Sequence, residues 1–153
     1  MILRILFIYG FFITSGVDSV FAQTPDAGFF LMVEDKTNCP HLVRVLNGPI
    51  SYCIPNYPVI PESEFKFEGD LKVSTVYEHS SIDLRLTQAG FNTLKSLATN
   101  LPNTKLILVI DNFVVGTFDQ IATIHSPVIP VNGKINSPEM NWLYDWVKKS
   151  RKN

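Results

Sequence analysis

The stretch from Ser81 to Gly116 constrains the fold more than any other part of the chain. Ile82, Leu84 and Leu86 alternate with Asp83 and Arg85, the period-two pattern of a strand with one buried face. Thr87 stands where a helix N-cap is wanted. Phe91, Leu94 and Ala98 then recur on one helical face, with Leu97 beside them, so this helix is expected to cover a sheet. Asn100 and Pro102 close it. Leu106 to Ile110 is an apolar run that reads as a central strand buried on both faces. Asp111-Asn112 supplies a two-residue turn, because both residues tolerate positive φ, and Phe113 to Phe118 returns as the partner strand.

The flanking segments add strands before this unit and a helix after it. Phe29 to Glu34 reads as a first strand. Apolar runs at Leu42–Leu46 and Ile50–Ile54 flank Asn47-Gly48, a strong hairpin signal. Pro55, Pro58 and Pro61 mark a loop that ends in a short helical turn. Leu71, Val73, Thr75 and Tyr77 alternate with Lys72, Ser74, Val76 and Glu78 as a half-buried strand, and a turn is expected at Glu78–Ser80. Residues 120–131 read as short extended pieces broken by Pro127 and Pro130, with a turn at Asn132-Gly133. Ser137 as N-cap, Pro138 at the first position and Glu139 open the last helix, with Leu143 and Val147 facing the core. The expected fold is α+β: an antiparallel sheet covered on one face by two helices, with an N-terminal β-hairpin.

The first 22 residues read as an export signal. Arg4 precedes the apolar run Ile5–Ile13, and Val20-Phe21-Ala22 is a small-x-small cleavage site. The run stops at Thr14, short of the roughly 20 residues that span a bilayer, and no later run reaches that length. The expected division is a signal peptide at 1–22, a disordered leader at 23–28, a single domain at 29–149 and a basic tail at 150–153. The product is expected to be periplasmic or secreted, without stable membrane insertion. A net charge of −1 gives no electrostatic reason for a nucleic-acid partner. Cys39 and Cys53 are the two cysteines, and an exported chain with an even count is expected to pair them across adjacent strands. The alternative, a metal held by Cys39, His41 and Cys53, lacks a fourth ligand and a standard zinc spacing.

The order of these features carries a resemblance. A strand ends in Leu86-Thr87, Gly90 and Phe91 open a helix, and Lys105-Leu-Ile-Leu-Val-Ile-Asp111 follows. A turn, Val114-Val115, an Asn-Gly pair and a Ser-Pro-Glu helix start come next. This resembles the head subdomain of the first periplasmic domain of SecD, the protein-export subunit. The match is most specific over Ile82–Gly116 and weaker but ordered over Ile121–Val147. Phe29–Val73 follows the same layout, with Pro58-Val59-Ile60 in its Pro-Val-Ile segment. The resemblance implies a non-enzymatic module with no cofactor that contacts exported polypeptides. The chain departs from the family in having no transmembrane helices, so proton-driven pulling does not carry over. The family's glycine-rich stretch before the last helix is thinned to Gly133.

No arrangement of residues announces chemistry. His41, His79 and His125 are far apart in sequence and share no ligand spacing. There is no nucleophile elbow and no phosphate loop. Glu34-Asp35 and Glu62-x-Glu64 read as solvated carboxylates, and Asp83 and Arg85 as surface charges on a strand. No catalytic, cofactor or metal residue is therefore assigned. The candidate partner contacts are Trp142 and Trp146, an i, i+4 pair, and Phe65 and Phe67. Tyr52 and Tyr57 are further candidates for an exposed patch, and an open sheet edge for strand addition. Three functions compete. A protein-binding or scaffolding module leads. A dedicated inhibitor or immunity-type partner would show one compact apolar patch with a polar rim. A small enzyme would show His79 or His125 beside an acid in a pocket.

Overall fold

The structure, a computed structural model, describes residues 27–34 and 37–151. The signal segment, leader residues 23–26, Asp35 and tail residues 152–153 lie outside them. Among the described residues the strands are β1 (Gly28–Leu31), β2 (His41–Val45), β3 (Ser51–Ile54), β4 (Ile60–Pro61), β5 (Phe65–Ser74), β6 (His79–Leu86), β7 (Leu106–Ile110), β8 (Phe113–Phe118) and β9 (Val128–Lys134). The helices are α1 (Gln88–Asn100) and α2 (Pro138–Ser150), with 3₁₀ turns at Glu62–Glu64 and Ile121–Thr123. The class is α+β, as expected. The strands divide between two sheets, one of order β3-β2-β8-β7-β1-β4 and one of order β5-β6-β9.

The larger sheet closes on itself. β1 pairs with β7, β7 with β8, β8 with β2 in parallel, and β2 with β3. Just past β1, Val33 then bridges Cys53 of β3, its N–H donating to Cys53 O at 2.9 Å. The five strands β1, β7, β8, β2 and β3 thus form a ring. A bulge in β8, where Leu108 faces Gly116 but Val109 faces Val114, bends the strand and helps the closure. Inside the ring Phe30, Val43, Ile54, Ile107, Val109 and Val114 are buried, with Met32, Val45 and Tyr52 packed against them. A ring this small is filled by its own side chains.

The outward side chains build the main core. Phe29, Leu106, Leu108 and Ile110 leave the barrel wall and meet Phe65, Ile82, Leu84, Leu86, Ile129 and Val131 of the three-stranded sheet. Phe29 stacks edge-on against Phe65 at 5.4 Å and lies 5.6 Å from Phe118. Both helices bury their apolar residues in the same core, Leu94 from α1 and Met140, Leu143 and Val147 from α2. They therefore lie against one face of the smaller sheet.

Two local expectations are corrected. The strand expected to reach Tyr77 ends at Ser74, and Thr75–Glu78 is the turn, with Glu78 at φ 49°. Asn132-Gly133 is no turn: both lie inside β9, paired with Ser81 and Ser80. The hairpin turns at Asn47 (φ 57°) and at Asp111 and Asn112 (φ 48° and 66°) stand as expected. Pro130 is accommodated because β9 is an edge strand. Gly28, placed in the leader, begins β1.

Helix α1 is capped from both near and far in sequence. Thr87 Oγ1 accepts from Gly90 N–H at 3.1 Å, and Glu64 Oε2 accepts from the same group at 3.2 Å. Thr87 Oγ1 also donates to Glu64 Oε2, and Thr87 N–H donates to Glu64 O. A carboxylate there is favoured by the helix dipole. This docking needs a glycine, since a Cβ on Gly90 would lie 2.7 Å from Glu64 O. Gly90→Ala is therefore expected to destabilise the fold by about 1–3 kcal/mol, the usual range for overpacking. Equal or higher stability in urea unfolding would count against this close approach.

The outer face of the smaller sheet carries a charge ladder. Lys66 lies opposite Arg85 and Glu68 opposite Asp83, pairings of like charge that are unfavourable when direct. The diagonals resolve them. Glu68 takes Arg85 Nε at 2.6 Å and Lys66 Nζ at 3.2 Å, and Lys72 Nζ meets Asp83 at 2.5 Å. The Arg85 hydrogen bond, against partial desolvation and with help from Lys66, holds the Glu68 carboxyl below its ordinary range. A depressed carboxyl stabilises the fold above its unfolded titration, and that contribution is lost as pH falls through the folded one. In side-chain NMR titrations the Glu68 midpoint should rise in Arg85→Gln. An unchanged midpoint would remove Arg85 as the cause.

Candidate partner-binding surface

The four contact candidates do not form one exposed patch. Phe65 is buried in the main core, while Phe67, Trp142 and Trp146 are half-buried at its margin. Trp142 stacks edge-on against Phe113 of β8 at 5.7 Å, and Trp146 against Phe67 of β5 at 6.2 Å. The i, i+4 row of α2 thus spans from the barrel to the smaller sheet. Tyr52 packs into the barrel interior, and Tyr57 stands alone at the surface, 81% exposed.

Phe65, Phe67 and Trp146 do share a cleft of about 200 Å³, completed by Glu62, Lys66, Val147 and Ser150. That is below the roughly 300–1,000 Å³ of small-molecule sites. A second cleft of about 320 Å³ lies between Gly116–Phe118 of β8 and Ile129–Asn132 of β9, with Ile124 at its side. It is open to solvent and is lined mostly by apolar side chains and main chain.

The edges of the smaller sheet are partly occupied. Arg151, expected in the basic tail, donates through Nη2 to Phe67 O at 3.3 Å and Gly69 O at 2.6 Å, on the open side of β5. On β9 the open side includes Val128 and Pro130. Val128 N–H donates to Ser126 Oγ at 3.1 Å, and Pro130 has no N–H to offer. A guest strand would have to displace these contacts.

The tip of the β5–β6 hairpin carries exposed apolar side chains. Val76 and Tyr77 are 82% and 76% exposed, and Val73 beside them is 54% exposed. Ser74 pairs with His79 across the base of the turn. The Tyr77 ring lies 6.0 Å from the His79 ring, which steadies it against the strand. Lys72, Thr75, Glu78 and His79 are their polar neighbours in sequence. Burying a Val side chain is worth about 1.5–3 kcal/mol, and none of that gain is taken here. The signal was present in the sequence: Val76 puts an apolar residue on the polar side of the alternation. Tyr77 nevertheless fits the buried side of a longer strand.

Among the described residues no three His, Cys, Asp or Glu gather to hold a metal ion. His41 begins β2, His79 begins β6, and His125 is exposed on the segment before β9. The disulfide Cys39–Cys53 is formed, with Cα atoms 5.5 Å apart. It does not join facing residues of β2 and β3: Leu42 faces Cys53, and Cys39 precedes β2. Among the described residues no helix is long and apolar enough to cross a membrane. No family model matches the chain, and no curated protein or solved structure matches it either.

Proposed function

We propose that this chain is an exported, non-enzymatic module that binds another protein through the tip of the β5–β6 hairpin. The observation that carries the reading is the exposed group Val73, Val76 and Tyr77 with its polar neighbours in sequence. Tyr is enriched among residues that dominate interface energies, and a convex apolar tip suits a partner with a concave apolar pocket. A compact patch of this kind favours one dedicated partner, as in inhibitor or immunity-type pairs. The export part of the reading is supported by the signal-like segment at 1–22 and by the disulfide.

A second reading rests on the cleft of Phe65, Phe67 and Trp146. It would take apolar side chains of many exported polypeptides, in keeping with the SecD-head resemblance.

The two readings separate in one experiment. Residues 23–153 are used as bait in the native envelope fraction, as wild type and as Val76→Ser/Tyr77→Ser. Exposed substitutions change stability by less than about 0.5 kcal/mol, so the variant should fold normally. A single stoichiometric partner, lost in the variant with at least about 30-fold weaker affinity, is the expected result, since hot-spot truncation costs about 2 kcal/mol or more. Many unrelated clients, retained by the variant, would move the function to the aromatic cleft. A single partner retained by the variant would place its site elsewhere on the surface.

A further inference from the structure

We infer that the Cys39–Cys53 disulfide is the latch of the small barrel, and that its reduction by a dithiol releases the β2–β3 hairpin and uncovers the barrel interior. The hairpin is internally continuous, with His41, Leu42, Val43 and Arg44 facing Ile54, Cys53, Tyr52 and Ser51. Its attachment to the rest of the ring is slight. On one side only Arg44–Phe113 and Val45–Val114 pair with β8. On the other side the isolated bridge from Val33 to Cys53 closes the ring. β7, by contrast, is paired along its whole length, with β1 from Leu106 to Val109 and with β8 from Leu106 to Ile110.

The disulfide sits on that slighter seam. Cys53 is the residue of β3 that takes the bridge, and Cys39 lies on the segment that leads from β1 into β2. The covalent bond thus holds β3 where it meets the extension of β1. Opening the hairpin would expose Phe30, Ile107, Val109 and Val114, whose strands are anchored independently. Phe29, Leu106, Leu108 and Ile110 on the same strands remain in the main core. The fold can therefore open on one side without losing the other, as a local unit of lower stability.

The step balances with a dithiol as reductant. Cys39 is half-buried and Cys53 fully buried, so the attacking thiolate meets Cys39 Sγ. The Cys39–Cys53 bond breaks, a mixed disulfide forms with Cys39, and Cys53 leaves as a thiolate that takes a proton. The second thiol of the reductant then attacks its own sulfur in the mixed disulfide, and Cys39 is released as a thiol. Two electrons and two protons pass to the cysteine pair, and the reductant ends as a disulfide.

Native-state amide exchange on the whole protein tests the latch, comparing the oxidised form, the form reduced with dithiothreitol, and Cys39→Ser without reductant. Reduction is expected to speed exchange at least tenfold at Val33, whose N–H donates to Cys53 O across the seam, and to leave the central amides of β6 and α2 unchanged. A dye that reports exposed apolar surface should bind the reduced form, and reoxidation should restore protection. Cys39→Ser should match the reduced wild type. Equal loss of protection in β6 and α2, or a reduced chain that no longer folds, would make the disulfide a brace for the whole molecule and overturn the latch. Unchanged exchange at Val33 would overturn it as well.

Discussion

The fold depends on β7 being buried on both faces. Its five residues are all buried, and they alternate between two separate apolar cores. Leu106, Leu108 and Ile110 point to the core shared with the helices, and Ile107 and Val109 fill the barrel. Burial of such side chains contributes about 1.5–3 kcal/mol each, so one short strand supports both halves of the molecule. Polarity cannot set the register of a strand that is apolar on both sides, because a one-residue slip exchanges one apolar set for another. The register comes from its neighbours. The Asp111-Asn112 turn fixes one end, and the β8 bulge places Val114 inside the barrel and Gly116 outside it.

Much of this was legible in the chain, and the failures have physical causes. The unit from Ile82 to Phe118 folds as its pattern predicts, because period-two and helical spacings there are long and uninterrupted. The Asn-Gly pair at 132–133 misled because its signal is local. Gly133 marks a close approach to α2, not a turn: a Cβ there would lie 2.4 Å from Met140 Cγ. Closure of the barrel left no mark in the pattern, since it rests on the two-residue pairing of β2 with β8 and one bridge at Val33. The pairing of the cysteines was legible, but its position was not. It required knowing that β3 would meet β1.

The contact candidates show the same division between local and distant information. Aromatic content marks residues that matter, but not what they matter for. Phe65, Phe67, Trp142 and Trp146 hold α2 between the barrel and the smaller sheet, with their rings edge-on to one another or to Phe29 and Phe113. The exposed residues arise where a strand runs past its core. After the irregularity between Glu68 and Lys72, β5 and β6 continue as a hairpin whose end has little to pack against. The apolar side chains of that turn therefore lie outside both cores.

The Glu64 cap has a consequence for the order of folding. The carboxylate that completes the first turn of α1 comes from 26 residues earlier in the chain. Until β4 and the 3₁₀ turn have docked, α1 has Thr87 alone at its N-terminus. Closing a loop of that length costs entropy before its contacts repay it. The cap of α1 is thus completed by tertiary structure and not by its own segment alone. Local contacts in the β7–β8 hairpin, whose turn spans only Asp111 and Asn112, are available much sooner.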